Sequence, residues 1–417
     1  MKVKITKPNT LKGTISISGS KNTVLPLIAC AALTKEEVIL KNVPWITDVM
    51  NMIKIASYAN AVVDYNPKTK ELKLQFKKLK NKILCEETTK IRASYYFIGS
   101  ILPRKKKLII NYPGGCNFSL RPIDYHIYAF KTLGYKIYAN KEKIYLKKKY
   151  IKRKKIIIKF PKQTIGATIN TIIASVTSDK IVEIYNYASE PDVLSVIEML
   201  NLMGANILVR DEKIKIFGVK KLHGVTYEVP FDRIEAGSYM ILASSIPRSK
   251  VILQNIDSSQ LTKIIEVLKN MNVKISCQKT NLIIESPDEL KPINIKTGTY
   301  PDFPTDLQQI LLILLLKAKG KSTIIDTIYP DRISQIKLLQ ENNINVYVEN
   351  NLITIEETKQ IFVQEGEALD LRGGFSLVVL AMLSSYLIID KFEIVKRGYE
   401  DIENKLKKIQ ITIEKEN

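Results

Sequence analysis

The sequence predicts an α/β chain of two lobes, each made of three copies of one unit about 70 residues long. Three observations carry this. A polar turn leading into an apolar helical run recurs six times, a β-branched run follows each of these helices, and strand and helix periodicities alternate along the chain. The turns read SGSKN (18–22), KIRAS (90–94), IGATIN (165–170), RIEAGS (233–238), PTDLQ (304–308) and DLRGGF (370–375). Anchored on Asn22, Arg92, Thr168, Glu235, Asp306 and Arg372, they lie roughly 66 to 76 residues apart.

The β-rich runs are VILKN (38–42), LIINY (108–112), VEIYN (182–186), VILQN (251–255), STIID (322–326) and FEIVK (392–396). Each is followed by a loop and a second helix, ending near NAVV, GYKI, GANI, NVKI, NINV and IQIT. Strands such as KIYL (143–146), KIKIFG (213–218) and NLIIE (281–285) close several units. No long Gly/Ser linker parts the lobes, and the boundary is expected near Val229–Pro230. A polar turn entering a helix presents free backbone N–H groups, a natural seat for anions. Two lobes facing each other across such ends would line a cleft that closes on a phosphorylated substrate.

With 417 residues, 45% of them hydrophobic and 25% charged, the chain can build sizeable cores, and disordered or collagen-like classes are excluded. The most apolar stretches, Ile310–Leu316 and Phe375–Ile389, are shorter than the roughly 18 residues of a membrane span. The opening MKVKITKPNTLKG has no apolar core of a secretory signal. Cys30, Cys85, Cys116 and Cys277 lie far apart without metal-type spacing, and read as reduced thiols of a cytoplasmic protein.

The 64 Lys and Arg against 42 Asp and Glu, a net charge of +22, invite a nucleic-acid reading. The distribution argues against it. Lysines are scattered among abundant Ile and Asn, as codon bias in an AT-rich genome produces, and the densest run, KKKYIKRKK (147–155), reads as a solvated strand edge or loop. Neither nucleic acid nor a membrane is expected as a partner. Only ten residues are Arg, and six of them (Arg92, Arg121, Arg233, Arg332, Arg372, Arg397) fall inside recurring or distinctive motifs. A planar guanidinium grips carboxylate or phosphate in a way that Lys cannot, so in a Lys-rich chain these positions stand out.

SGSKNTVLP (18–26), PGGCNFSLRPIDYH (113–126), EPD (190–192), DRIEAG (232–237), FPTDLQ (303–308), DLR (370–372) and RGYE (397–400) occur in this order along nearly the whole chain. Together they resemble the UDP-N-acetylglucosamine 1-carboxyvinyltransferase family of enolpyruvyl transferases. The resemblance implies a two-domain inside-out α/β barrel of six βαβαββ repeats, like EPSP synthase. It also implies that the extreme N-terminal strand joins the second domain. The expected domains are 22–229, carrying the Cys116 loop, and 1–21 plus 230–417, with the active site in the cleft between them.

The implied reaction transfers the enolpyruvyl group of phosphoenolpyruvate to the 3′-hydroxyl of UDP-N-acetylglucosamine and releases phosphate. It is the first committed step of peptidoglycan synthesis, and through it of cell-wall biogenesis, cell shape, cell cycle and cell division. No metal or organic cofactor is implied. On the same resemblance Cys116, Asp306, Lys21 and Arg397 are catalytic: Cys116 gives a proton and is open to alkylation by fosfomycin, and Asp306 contacts the 3′-hydroxyl. Lys21, Asn22, Arg121, Arg332, Arg372 and Arg397 would hold phosphoenolpyruvate. Arg92, Arg121, Pro122, Ile123, Asp124, Tyr125, Lys162, Gln163, Thr164, Ile165, Asp306 and Ile328 would hold the nucleotide sugar. Asp370 is a second carboxylate that could orient the cations, while His126 is open between a structural and a functional part. Glu190 and Arg233 are expected in loop-ordering or interdomain contacts, and His223 on the surface.

The chain departs from the family pattern at Asn117-Phe118-Ser119-Leu120, where small residues are usual, at Tyr329 in place of Phe, and at Asn60 and Asn343 in place of Gly. Two alternatives stand beside the leading one: transfer to shikimate 3-phosphate on the same fold, or a silent paralogue acting as a binding protein.

Overall fold

The computed structural model describes residues 1–114, 123–149 and 152–416. Within them the repeat appears as six four-stranded sheets. The third repeat shows the plan. Strand Lys155–Lys159 leads into helix Ile165–Ser175, strand Ile181–Tyr185, helix Pro191–Leu202 and the hairpin Asn206–Arg210 with Lys213–Phe217. The first two strands pair in parallel, which requires the helical crossover between them. The second strand then pairs antiparallel with the last, and the last with the third. This is the expected βαβαββ unit.

Three strands are supplied from distant parts of the chain. Val225–Glu228 runs parallel to Glu37–Lys41 and opens the first repeat. Lys12–Ser16 runs parallel to Lys250–Gln254 and opens the fourth. Lys2–Thr6 lies antiparallel between Tyr386–Asp390 and Thr412–Glu416, closing the sixth. The chain accordingly divides into two compact units. One holds the described residues from Gly19 to Pro230, and the other holds Met1–Ser18 with the residues from Phe231 onward. Lys21, expected with the second domain, lies in the first.

Each unit is built around helices rather than around its sheets. In Ile165–Ser175 every residue from Ala167 onward is buried, and in Leu371–Leu383 every residue after Leu371 is buried. A helix that is apolar on all sides belongs inside a core. The strands bury alternate residues, as in Glu71–Gln75 and Lys213–Phe217, so one sheet face covers the helices and the other meets water. The second helix of each repeat is amphipathic: Thr262–Asn270 buries Ile264, Val267 and Leu268 and leaves the rest more open. Apolar burial separates into two clusters, one per unit.

The turn after each second helix shows the repeat at single-residue scale. Asn60, Gly134, Gly204, Asn272, Asn343 and Gln410 all have positive φ, between 57° and 95°. The left-handed conformation ends the helix and turns the chain into the next strand, and Asn is the side chain that tolerates it best after Gly. Asn60 and Asn343 therefore keep the turn that a Gly would make.

One expected strand is absent. FEIVK (392–396) belongs to a 3₁₀ helix, Phe392–Arg397, and the strand is Tyr386–Asp390 just before it. Phe392 and Val395 are both fully buried, at the three-residue spacing of a helical turn, which overrides the β preference of Ile394-Val395. Among the described residues no helix is long and apolar enough to cross a membrane.

Candidate active site

In the second unit the site begins at the 3₁₀ turn Thr305–Leu307, which starts helix Gln308–Leu315. Its Asp306 carboxylate meets two cations. Oδ1 is 2.5 Å from Arg332 Nη1 and Oδ2 is 3.7 Å from Arg372 Nη2. Both arginines are almost closed to solvent, at 4% and 5% exposure. Arg372 also donates from Nη1 to the Tyr399 hydroxyl at 3.0 Å, and that ring stacks on Phe375 at 4.3 Å. Burial works against the charge of Arg372, but Tyr399, Asp306 and Asp232 outweigh it and raise its pKa.

Asp370 fixes where Arg372 stands. One oxygen caps helix Leu371–Leu383 by accepting from Arg372 N and Gly373 N at 2.9 and 3.0 Å. The other accepts from Ser334 Oγ at 2.7 Å, which ties the segment after Arg332 to the same cap. The carboxylate expected to orient cations does so through the backbone. Arg397 ends the 3₁₀ helix Phe392–Arg397, two residues before Tyr399, and is half-buried. Ile328 is half-buried in the loop between Asp326 and Arg332. Arg233 packs over the Tyr300 ring at 5.5 Å, ordering the chain ahead of Asp306.

In the first unit Lys21 opens helix Lys21–Cys30, capped by Ser20, whose hydroxyl accepts from Thr23 N at 3.2 Å. Lys21 Nζ lies 3.0 Å from the buried Asp48 carboxylate. Ser20 and Thr23 both donate to Asp192 Oδ1, at 3.1 and 2.6 Å, which fixes the turn that carries Lys21 and the half-buried Asn22. Glu190 sits one residue before Pro191, the first residue of the Pro191–Leu202 helix, and is 5% exposed.

Arg92, Tyr95, His126 and Gly166 form a second cluster there. Arg92 lies over the Tyr95 ring at 5.9 Å, and the Tyr95 and His126 rings are 4.2 Å apart. A Cβ at Gly166 would stand 2.4 Å from the Tyr95 hydroxyl and 3.2 Å from His126 Nε2, so only Gly lets the helix start approach them. Asn170 joins the parts: its Nδ2 donates to Tyr95 O at 2.9 Å and lies 3.1 Å from His126 Nδ1, and its Oδ1 accepts from Gly99 N at 3.0 Å. Lys162 and Gln163 are exposed ahead of helix Ile165–Ser175, and the Thr164 side chain makes no capping bond there. Asp124 and Ile165 are exposed, and Tyr125 is half-buried. Ile123 is 1% exposed and packs within the core of the first unit. Cys116, Arg121 and Pro122 lie outside the described residues.

His126 is 6% exposed and held against Asn170. Burial, with Arg92 adding to it, pushes its pKa from 6.5 down to about 3. The folded ring therefore stays neutral while an unfolded one takes a proton as the pH falls below 6.5. Its contribution is complete above that pH and is lost on acidification, by up to about 1.4 kcal/mol per pH unit. His126→Gln is expected to flatten the fall in unfolding free energy between pH 6.5 and about 4.5. Chemical unfolding across that range checks this, and equal slopes for both proteins would refute it. His223 is exposed, as expected.

Several residues of the site were not singled out from sequence. Asp48 has no motif at all. Tyr399 stands within RGYE, but nothing in the letters says that it receives Arg372. A third feature is a buried ionic network: Lys405 Nζ donates to Glu235 Oε1 and Ser18 Oγ, each at 2.6 Å, Ser18 N donates to Glu235 Oε2 at 2.8 Å, and Ser18 Oγ donates to Glu400 Oε2 at 2.6 Å.

The six βαβαββ repeats are the fold shared with enolpyruvyl transferases of solved structure. The model of the EPSP synthase (3-phosphoshikimate 1-carboxyvinyltransferase) family matches residues 5–406, and the chain belongs to this family. In particular, it is 35% identical over 415 residues to UDP-N-acetylglucosamine 1-carboxyvinyltransferase 2 of Streptococcus pyogenes serotype M1, covering 97% of both chains. The proteins of that name from Streptococcus mutans and Lactococcus lactis are 35% and 33% identical over 416 residues, with 99% of each chain covered. Among solved structures the enolpyruvyl transferase NikO from Streptomyces tendae superposes with a TM-score of 0.87 at 17% identity, covering 99% of this chain and 98% of that one. EPSP synthase from Acinetobacter baumannii gives 0.77 at 17% identity, covering 99% and 100%. At that identity the structures speak for the fold.

Proposed function

We propose that this chain transfers the enolpyruvyl group of phosphoenolpyruvate to the 3′-hydroxyl of UDP-N-acetylglucosamine with release of phosphate, the first committed step of peptidoglycan synthesis, in the cytoplasm. The observation that carries the reading is the convergence of Arg332 and Arg372 on Asp306, with both guanidinium groups nearly sealed from water. Such cations bind a small carboxylate strongly, because little water competes for them.

The sugar oxygen adds to C2 of the enol while Asp306 takes its proton and the Cys116 thiol delivers one to C3. The product of this step is a tetrahedral phospho-ketal. Breaking the bond between C2 and the phosphate oxygen, with loss of a proton from C3, restores the double bond and frees inorganic phosphate. Arg332 and Arg372 hold the carboxylate of the donor. Lys21, Arg121 and Arg397, with Asn22, stabilise the leaving phosphate. The acceptor is held by Arg92, the 121–125 and 162–165 segments, and Ile328. Cys116 is the point at which fosfomycin alkylates the enzyme.

Phosphate release tests the reading. Phosphoenolpyruvate with UDP-N-acetylglucosamine is expected to turn over, and phosphoenolpyruvate with shikimate 3-phosphate is expected to stay at background. Release with shikimate 3-phosphate alone would transfer the assignment to the sister reaction, and release with neither would leave a binding protein.

A further inference from the structure

Asp326 is 2% exposed, directly after strand Lys321–Ile325, and has four hydrogen-bond donors. Its Oδ1 accepts from Thr297 Oγ1 at 2.8 Å and from the backbone N–H groups of Ile328 and Tyr329, each at 2.9 Å. Its Oδ2 accepts from Thr305 Oγ1 at 2.7 Å. One carboxylate therefore joins three stretches of chain: the end of strand Asn294–Lys296, the turn that carries Asp306, and the loop that carries Ile328 and Arg332. Thr327 doubles the first connection, donating from its N–H to Thr297 Oγ1 at 3.1 Å and from Oγ1 to Thr297 O at 2.7 Å. The loop then runs on through Arg332 N to Tyr329 O at 3.0 Å.

We infer that Asp326 is a positioning residue, and that its bond to Thr305 is the latch that sets the Asp306 carboxylate in register with Arg332 and with the acceptor-binding loop. The two halves of the Asp306–Arg332 pair come from segments far apart in sequence. Each half is referenced to the same buried carboxylate, Asp306 through its neighbour Thr305 and Arg332 through the turn at Ile328-Tyr329. A carboxylate suits the task, since it offers two acceptor oxygens and no donor, and four donors converge on it. An amide would give up one of the two oxygens. Because the Oδ1 bonds build the turn and the Oδ2 bond builds the latch, the two can be separated by mutation.

The inference rests on the transferase reading, so the test has one arm that needs activity and one that does not. Thr305→Val removes the Oδ2 bond, keeps the side-chain shape and leaves the Oδ1 bonds of the turn in place. Misplacing a catalytic group by about 1 Å costs on the order of 100-fold. Thr305→Val is therefore expected to lower kcat by about 10- to 100-fold and to raise the KM for the acceptor by several-fold more than the KM for phosphoenolpyruvate. Thr305→Ser restores the hydroxyl and is expected to recover most of the loss. In the second arm, amide hydrogen exchange of segments 303–312 and 326–335 is expected to speed up together in Thr305→Val and not in Thr305→Ser. A merely structural threonine would move the thermal midpoint without splitting the two KM values. Unchanged kinetics in the Val variant, equal losses in Val and Ser, or unchanged exchange would each overturn the latch. Coupled exchange in a protein that transfers to no acceptor would keep the latch and refute the function.

Discussion

Asp306→Asn is expected to lower kcat by about 100- to 10,000-fold while leaving phosphoenolpyruvate bound as tightly as before, or more tightly. Asn has the shape of Asp and still offers an oxygen to Arg332 Nη1, which Asp306 meets at 2.5 Å, so the pocket keeps its form. Two things change. In the proposed reaction Asp306 is the base that takes the proton of the sugar hydroxyl, and its loss accounts for the expected fall in rate. The negative charge between Arg332 and Arg372 is gone as well. Arginine does not give up its proton, so both guanidinium groups stay charged in a nearly dry site, with one competitor for their attraction removed. The carboxylate of phosphoenolpyruvate gains from that. Steady-state phosphate release, with direct titration of phosphoenolpyruvate, measures both quantities. A kcat within about 10-fold of the parent, or a loss of donor affinity in step with the rate, would remove Asp306 from its role.

The largest effect on stability is expected at Lys405. Its Nζ lies 2.6 Å from the Glu235 carboxylate, and the two side chains are 8% and 2% exposed. Burial pushes the Glu235 carboxyl up, against the pull of Lys405. Lys405→Met leaves that carboxylate buried and uncompensated, at a cost of about 3–5 kcal/mol. For a unit of this size that is a fall of roughly 6–20 °C in its melting transition. With the carboxyl pKa raised in the fold, the penalty grows as pH rises through the ordinary carboxylate range. The deficit should therefore be smaller near pH 5 than near pH 8. Adding Glu235→Gln to Lys405→Met should recover much of the loss. Calorimetry of the parent and the two variants at two pH values decides it. A shift below about 2 °C in the single variant would mean that the pair does not stabilise the unit.

The six anchor turns were legible because each is a short polar segment followed by a run apolar on every side, and such a run must become a buried helix. Arg332 and Arg372 were legible because arginine is scarce in this chain, with ten residues among 64 cations. FEIVK was misread because β preference is a weak local signal, and the depth of Phe392 and Val395 in the core decided the matter. His126 could not be settled from its letter, since burial and the nearness of Arg92 set its state. Asp48, Asp326 and Tyr399 were hidden for one reason: each acts on a residue brought beside it by the packing of separate segments, Lys21, Thr305 and Arg372 respectively. The strand exchange that places Lys2–Thr6 beside Tyr386–Asp390 leaves no trace in periodicity. It followed only from resemblance.

The chemistry itself can be read from one atom. Phosphoenolpyruvate carrying ¹⁸O in the bridge between C2 and phosphorus should, on turnover with UDP-N-acetylglucosamine, deliver that label into the released phosphate, because addition followed by elimination breaks the carbon–oxygen bond. Label retained on the three-carbon unit would mean that the phosphorus–oxygen bond is the one cleaved, and enolpyruvyl transfer by this chain would be contradicted.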